Sequence, residues 1–251
     1  MLITLSVNSI AGKLKGRHPD MTLYDVPSFT LNELDVRGLC LQTSFLAGWD
    51  AKGVDRLRDE ADRSACPWLT LVEEAPHDLS TETNGDKAVD RMDKVLRVGH
   101  RLGCSSVAMC VKARAGADED EIALRLKRIV TAAERMELNL LLIPHAGVTE
   151  TPEQLTGMIR KVGGFRIGSM PDFEVASQTD DPDAYLRALT PYASAVCAAI
   201  NDFDLDPAIE AVKSVGYEGA LALEYRCTDT PIEEALPPVI AQITTILEAE
   251  A

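Results

Sequence analysis

Short apolar runs alternate along the chain with stretches of helical period. In the second half the runs are Leu138–Pro144, Phe165–Met170, Ala193–Ile200 and Ala220–Leu223. They are bounded by turn residues and do not alternate internally, which predicts strands buried on both faces of a parallel sheet. Four helix starts of one chemistry follow them: Thr151-Pro152, Asp181-Pro182, Asp206-Pro207 and Thr230-Pro231. In each, a side-chain oxygen can cap the free amides of the first turn, and proline takes the position whose N–H is not needed. Gln154 and Glu233, three residues after their caps, extend two of these into capping boxes. Leu155, Met158, Ile159 and Val162 then recur at i, i+3, i+4 and i+7, with Gly163 as the stop.

The first half repeats the theme. Leu2–Val7, Gly38–Thr43, Trp68–Val72 and Ser106–Val111 read as strands. Helices are expected over Thr22–Leu34, Asp50–Ser64, Asp86–Leu102 and Asp118–Met136, with Pro27 awkward inside the first. Eight strands alternating strictly with eight helices leave a closed barrel or an open doubly wound sheet. No Gly-rich phosphate loop follows any strand, and the units are nearly even. The expected fold is therefore α/β, a single (β/α)8 TIM barrel over residues 1–251.

Charge narrows the partners. Forty acidic against 25 basic residues give a net charge of −15, which disfavours nucleic acid and anionic membrane surfaces. No apolar run approaches the roughly 18 residues of a membrane span, and Met1–Ala11 lacks the features of a secretory signal. The six cysteines form no CxxC pair, and most lie in or beside apolar runs. Buried thiols in a reducing cytoplasm are the expectation. The local exception to the acidity is Lys13, Lys15, Arg17 and His18 in the first βα loop, a cluster able to steer an anionic substrate.

Barrel chemistry sits where the strands end. Those ends carry Asn8, Thr43, Glu73 with Glu74, Lys112, His145, Asp172, Asn201 with Asp202, and Glu224 with Arg226. Asp172 reads as a helix cap or a ligand contact. Glu224 ends a buried strand, where a carboxylate is costly unless paired or bound, and Arg226 two residues on could be its partner. His77 with Glu73 or Glu74 would be a loop pair or a source of extra ligands. His100 falls near a helix C-terminus, a position that suits a cation without further function. Cys110 and Cys197 read as core thiols.

Pro144-His145-Ala146-Gly147, Gly168-Ser169-Met170-Pro171-Asp172-Phe173, Ala199-Ile200-Asn201-Asp202-Phe203 and Gly216-Tyr217-Glu218-Gly219 leading to Leu223-Glu224-Tyr225 fall in order. Together they resemble the last four strands of the xylose isomerase-like TIM barrels, the sugar phosphate isomerase and epimerase group, which also includes abasic-site endonucleases. The resemblance implies a divalent metal held by Glu, Asp, His and Glu on strands five to eight. Asp172 and Glu224 match two of these positions, whereas Ile143 and Ala199 stand at the other two. The endonuclease activity would need several metals and a basic DNA surface, and the acidity opposes it.

The resemblance thus implies a sugar, sugar phosphate or polyol isomerase or epimerase working by proton transfer next to a carbonyl. Glu224, His145 and Lys112 are the catalytic candidates, with Glu224 moving the proton and Asp172 anchoring. Asn8, Asn201, Arg226, Lys13 and Arg17 are the substrate-binding candidates. Asp172, Glu224 and His145 would hold Mn, Mg or Zn weakly or not at all. The alternatives are a metal-free, non-catalytic barrel that binds a partner, and a related lyase or dehydratase. The implied partner is a small carbohydrate-like molecule, with a homo-oligomer or partner subunit left open.

Overall fold

The computed structural model describes residues 1–15, 20–201, 204–227 and 230–249. Eight parallel strands form its centre: β1 (Leu2–Ser6), β2 (Leu39–Gln42), β3 (Trp68–Asp78), β4 (Ser106–Lys112), β5 (Asn139–Ile143), β6 (Ile167–Ser169), β7 (Ala195–Ile200) and β8 (Ala220–Tyr225). They hydrogen-bond in the order β6-β5-β4-β3-β2-β1-β8-β7. The sheet curls until β6 and β7 meet at two isolated parallel bridges, Ser169 with Ala193 and Asp172 with Cys197. The amide of Cys197 donates to the Pro171 carbonyl at 2.9 Å across this seam. The (β/α)8 expectation holds, with one short seam in place of the eighth ladder.

Ten α-helices surround the strands among the described residues: α1 (Ala11–Leu14), α2 (Val26–Leu34), α3 (Ala51–Arg63), α4 (Glu82–Leu102), α5 (Glu119–Arg135), α6 (Pro152–Val162), α7 (Phe173–Ser177), α8 (Pro182–Leu189), α9 (Asp206–Ser214) and α10 (Ile232–Glu248). Side-chain caps start several of them. Asp50 accepts from the Gly53 amide, Thr81 from Asn84, Asp118 from Asp120 and Asp181 from Ala184. Thr151 and Gln154 form the full capping box expected of α6.

Four local expectations are corrected. Pro27 lies in the first turn of α2, which begins only at Val26, so it interrupts nothing. Asp206 is already helical and accepts from Gln242 Nε2 at 2.6 Å rather than capping α9. Thr230 does not cap α10; Pro231 precedes it, and Glu233 pairs instead with Lys13 at 2.7 Å. Finally, β3 runs on to Asp78 through a register shift between Glu73 and His77, so those residues belong to strand and not to a loop.

The core has two layers. The larger lies between sheet and helices and takes the helical stripes, including Met92, Leu96, Ile122, Leu126, Ile129, Leu155 and Met158. The smaller fills the barrel with Cys40, Val72, Ala108, Leu141, Met170, Ala195, Cys197 and Ala222. Barrel interiors are normally packed with branched residues. Here alanines and cysteines predominate, and buried Thr4, Ser6, Gln42, Thr70 and Ser106 add polar groups on the same strands. Small side chains near the C-terminal ends leave space, and that space is the site.

Candidate functional site

A cavity of about 170 Å³ opens at the C-terminal end of the barrel. Its apolar lining is Cys40, Val72, Ile143, Met170, Cys197 and Ala222, and its polar lining is Ser6, Asn8, Gln42, Glu74, Asp172, Glu224 and Arg226. The strand period decides which side chains arrive there. Ser6 on β1, Gln42 on β2, Glu74 on β3 and Glu224 on β8 share the inward face, so their neighbours Thr43 and Glu73 point elsewhere.

Arg226 organises the polar wall. Its Nη2 lies 2.6 Å from Asp172 Oδ2 and 3.0 Å from Glu224 Oε1, and its Nε donates to Glu224 Oε1 at 3.0 Å. Its Nη1 pairs with Glu174 Oε2. Burial works against the positive charge, but Asp172 and the other groups around it, Glu224 included, outweigh that and raise the guanidinium above its ordinary pKa. Ser6 Oγ donates to Glu224 Oε2 at 2.7 Å, with Asn8 Nδ2 farther off at 3.5 Å. Gln42 Nε2 donates to Ser6 Oγ at 2.8 Å, while its Oε1 is buried with no partner among the described residues. Asp172 also caps α7, accepting from the Glu174 amide at 2.8 Å. The cap reading of Asp172 is met, and the residue also lines the cavity.

Other expected residues are placed elsewhere. Asn201 reaches the wall indirectly, donating to Glu174 Oε1 at 3.0 Å. His145 sits in a turn closed by Thr149, and it is not among the residues lining the cavity. Lys112 is exposed at the end of β4 and does not line the cavity either. Lys13 is held by Glu233, and Arg17 and His18 lie outside the described residues, as does Asp202. Glu73 turns outward behind β3. It accepts from Thr43 Oγ1 at 2.9 Å and Arg91 Nη2 at 2.7 Å, with His77 Nε2 at 3.3 Å. Burial pushes the Glu73 carboxyl up, but its bonds to His77, Arg91 and Thr43 prevail and hold it at about 2. Of that acidic pair only Glu74 reaches the cavity, and among the described residues its carboxylate has no protein partner.

Sequence reasoning missed Ser6, Gln42 and Glu174. The first two were one residue from the chosen strand ends Val7 and Thr43, and a one-residue slip moves a side chain to the opposite face. Glu174 had a signal in its place two residues after Asp172.

The residues present do not fit the divalent ion that the fold implies. Ile143 presents an alkyl group to the cavity, and Ala199, fully buried, pairs in register with Glu224. Among the described residues no group of three or more His, Cys, Asp or Glu is arranged to hold a metal. Among the described residues no helix is long and apolar enough to cross a membrane.

No protein-family model matches the chain, and no curated protein does. Solved structures do. An L-ribulose 3-epimerase superposes with a TM-score of 0.83 at 15% identity, covering 99% of this chain and 95% of its own. D-psicose 3-epimerase from Clostridium cellulolyticum H10 gives 0.81 at 11% identity over 99% and 100%. A 3-keto-D-glucoside 4-epimerase from E. coli gives 0.78 at 13% identity over 98% and 99%. These neighbours are xylose isomerase-like TIM barrels, and this chain has their fold.

Proposed function

We propose that the cavity binds a small neutral carbohydrate or polyol and exchanges a proton on the carbon next to its carbonyl, as an isomerase or epimerase does. The observation that carries this reading is the set of acceptors left open on an otherwise satisfied wall. Among the described residues Gln42 Oε1 is buried without a partner, and the carboxylate of Glu74, an exposed residue on the same cavity, is unpartnered. A buried acceptor left open in a cavity suits a ligand hydroxyl, and the volume suits a single small molecule. The epimerase fold of the neighbours supports the same substrate class.

In this reading Glu74 takes the proton and the electron pair of the C–H bond moves onto the carbonyl oxygen, giving an enediolate. Asn8 Nδ2, held only loosely at 3.5 Å, is the donor for that oxygen. Glu224, expected to move the proton, is engaged by Ser6 and Arg226 and becomes the opposite wall; the proton held by Glu74 returns to the neighbouring carbon of the enediolate while the hydroxyl proton passes between its two oxygens, a one-base isomerisation that regenerates the Glu74 carboxylate. Asp172 keeps its proposed anchoring role, and Arg226 and Asn201 hold the wall in place. No metal is assigned a role, and the cytoplasm, where cysteines stay reduced, is the proposed compartment.

Solvent-deuterium exchange into a panel of neutral ketoses and aldoses tests this. Wild type should label the carbon next to the carbonyl, and Glu74→Gln should lower the rate about 100-fold or more. No labelling of any sugar by wild type would favour a non-catalytic binding barrel.

A further inference from the structure

We infer that Arg226 is the resident cation of this site, its guanidinium occupying the seat between the strand-six and strand-eight carboxylates that a divalent ion would need. Every oxygen of the three surrounding carboxylates already accepts from a protein donor. Glu224 Oε1 takes Arg226 Nε at 3.0 Å, and Oε2 takes Ser6 Oγ at 2.7 Å. Asp172 Oδ1 takes the Glu174 amide at 2.8 Å, and Oδ2 takes Arg226 Nη2 at 2.6 Å. Glu174 Oε1 takes Asn201 Nδ2 at 3.0 Å, and Oε2 takes Arg226 Nη1.

A hard divalent cation needs several oxygens at about 2.0–2.6 Å. Here it would have to strip these bonds and push the guanidinium out. Arg226 is tethered two residues from Glu224, so it competes at the high effective concentration of an intramolecular group. Unlike lysine, it spreads five N–H donors in a plane, which lets one side chain serve three carboxylates. The two positions where the resemblance expects metal ligands, Ile143 and Ala199, offer no donor to tip the balance. Two positions without donor atoms and an arginine among three carboxylates then fit one arrangement, a wall charged by protein instead of by metal.

The inference concerns the charge of the site and stands apart from the proposed reaction. Its test is Mn²⁺ titration followed by electron paramagnetic resonance and calorimetry. Wild type should take up no Mn²⁺ at the barrel mouth. Arg226→Ala frees oxygens of Asp172, Glu174 and Glu224, and it should gain one Mn²⁺ per chain, at least about tenfold tighter than any wild-type uptake. Adding Asp172→Asn should abolish the gain. Arg226→Gln, which removes the charge but keeps two donors, carries the same comparison if the alanine variant does not fold. Either variant folding only with Mn²⁺ present would also support the assignment. Wild-type binding of one Mn²⁺ that Asp172→Asn removes would overturn it, and so would a folded Arg226 variant that gains no site. Metal uptake is read without turnover, so a failed sugar-exchange experiment leaves this result intact.

Discussion

A Cβ placed on Gly168 would stand 2.1 Å from the carbonyl oxygen of Tyr192. Gly168 lies in β6, the shortest strand, directly at the seam where the barrel closes on the segment leading into β7. The contact is with backbone, so it cannot be relieved by a rotamer change.

Gly168→Ala is therefore expected to force the seam apart. Overpacking a tight site costs about 1–3 kcal/mol, and a rigid obstacle belongs at the upper end. Urea unfolding should show a lower midpoint, by about 3 kcal/mol of stability. A change within error would mean that the seam is looser than the structure has it.

The Glu73 network predicts a dependence on acid. A carboxyl held at about 2 in the folded chain and near its ordinary value when unfolded stabilises the fold above the unfolded value. That contribution is lost as pH falls from about 4.5 towards 2, and a displacement of this size corresponds to about 3 kcal/mol. Glu73→Gln should be less stable at neutral pH by about 2–3 kcal/mol, because Arg91 and His77 then face no charge. The two proteins should converge in stability as the pH approaches 2, measured by chemical unfolding across the range. Parallel curves at every pH would remove Glu73 from the acid response.

The strand-helix alternation was legible because it rests on local rules: buried runs, caps and prolines. Thr151, Asp181, Asp50 and Asp118 cap or delimit helices as their chemistry requires. The same rules failed at Asp206 and Thr230, where tertiary partners such as Gln242 and the Lys13–Glu233 pair stand in place of the expected caps. Asp172, Glu224, Arg226 and Asn8, read from the strand ends, all line the cavity because strand ends in a barrel converge. His145 and Lys112 were at strand ends too, yet strand period and length, which a sequence shows only to within a residue or two, carry them away from the cavity. The extension of β3 through a register shift had no local signal, and it places His77 and Asp78 on the strand instead of in a loop.

Cys40 and Cys197 line the cavity yet should behave as inert thiols. Burial pushes both up, and at Cys197 the charges of Asp172 and Glu224 add to it. The nucleophile is the thiolate, so raising its pKa removes reactivity. Maleimide labelling at pH 8, located by mass spectrometry, should leave both unmodified in folded protein and modify both after unfolding. Rapid labelling of Cys197 in the native state would contradict its burial among carboxylates.

Gln42 separates binding from chemistry. One N–H of its amide is committed to Ser6 Oγ, which in turn donates to Glu224, while among the described residues Oε1 accepts from no protein donor and is the group assigned to a ligand. An acceptor that contacts a distant hydroxyl serves ground state and transition state alike, and its loss raises KM while kcat stays constant. Gln42→Met keeps the volume but deletes both the acceptor and the bond to Ser6. The expected result on a sugar that exchanges is a KM raised about tenfold, from about 1–2 kcal/mol of lost hydrogen bonding, with kcat within about threefold of wild type. Glu74→Gln should do the reverse, lowering kcat with KM nearly unchanged. Ser6→Ala distinguishes the two roles further, since it frees Gln42 Nε2 and strips Glu224 Oε2 of its closest donor at once. If Gln42→Met lowers kcat as strongly as Glu74→Gln does, Gln42 acts on the reacting carbon through Ser6 and Glu224, and its assignment to ligand binding fails.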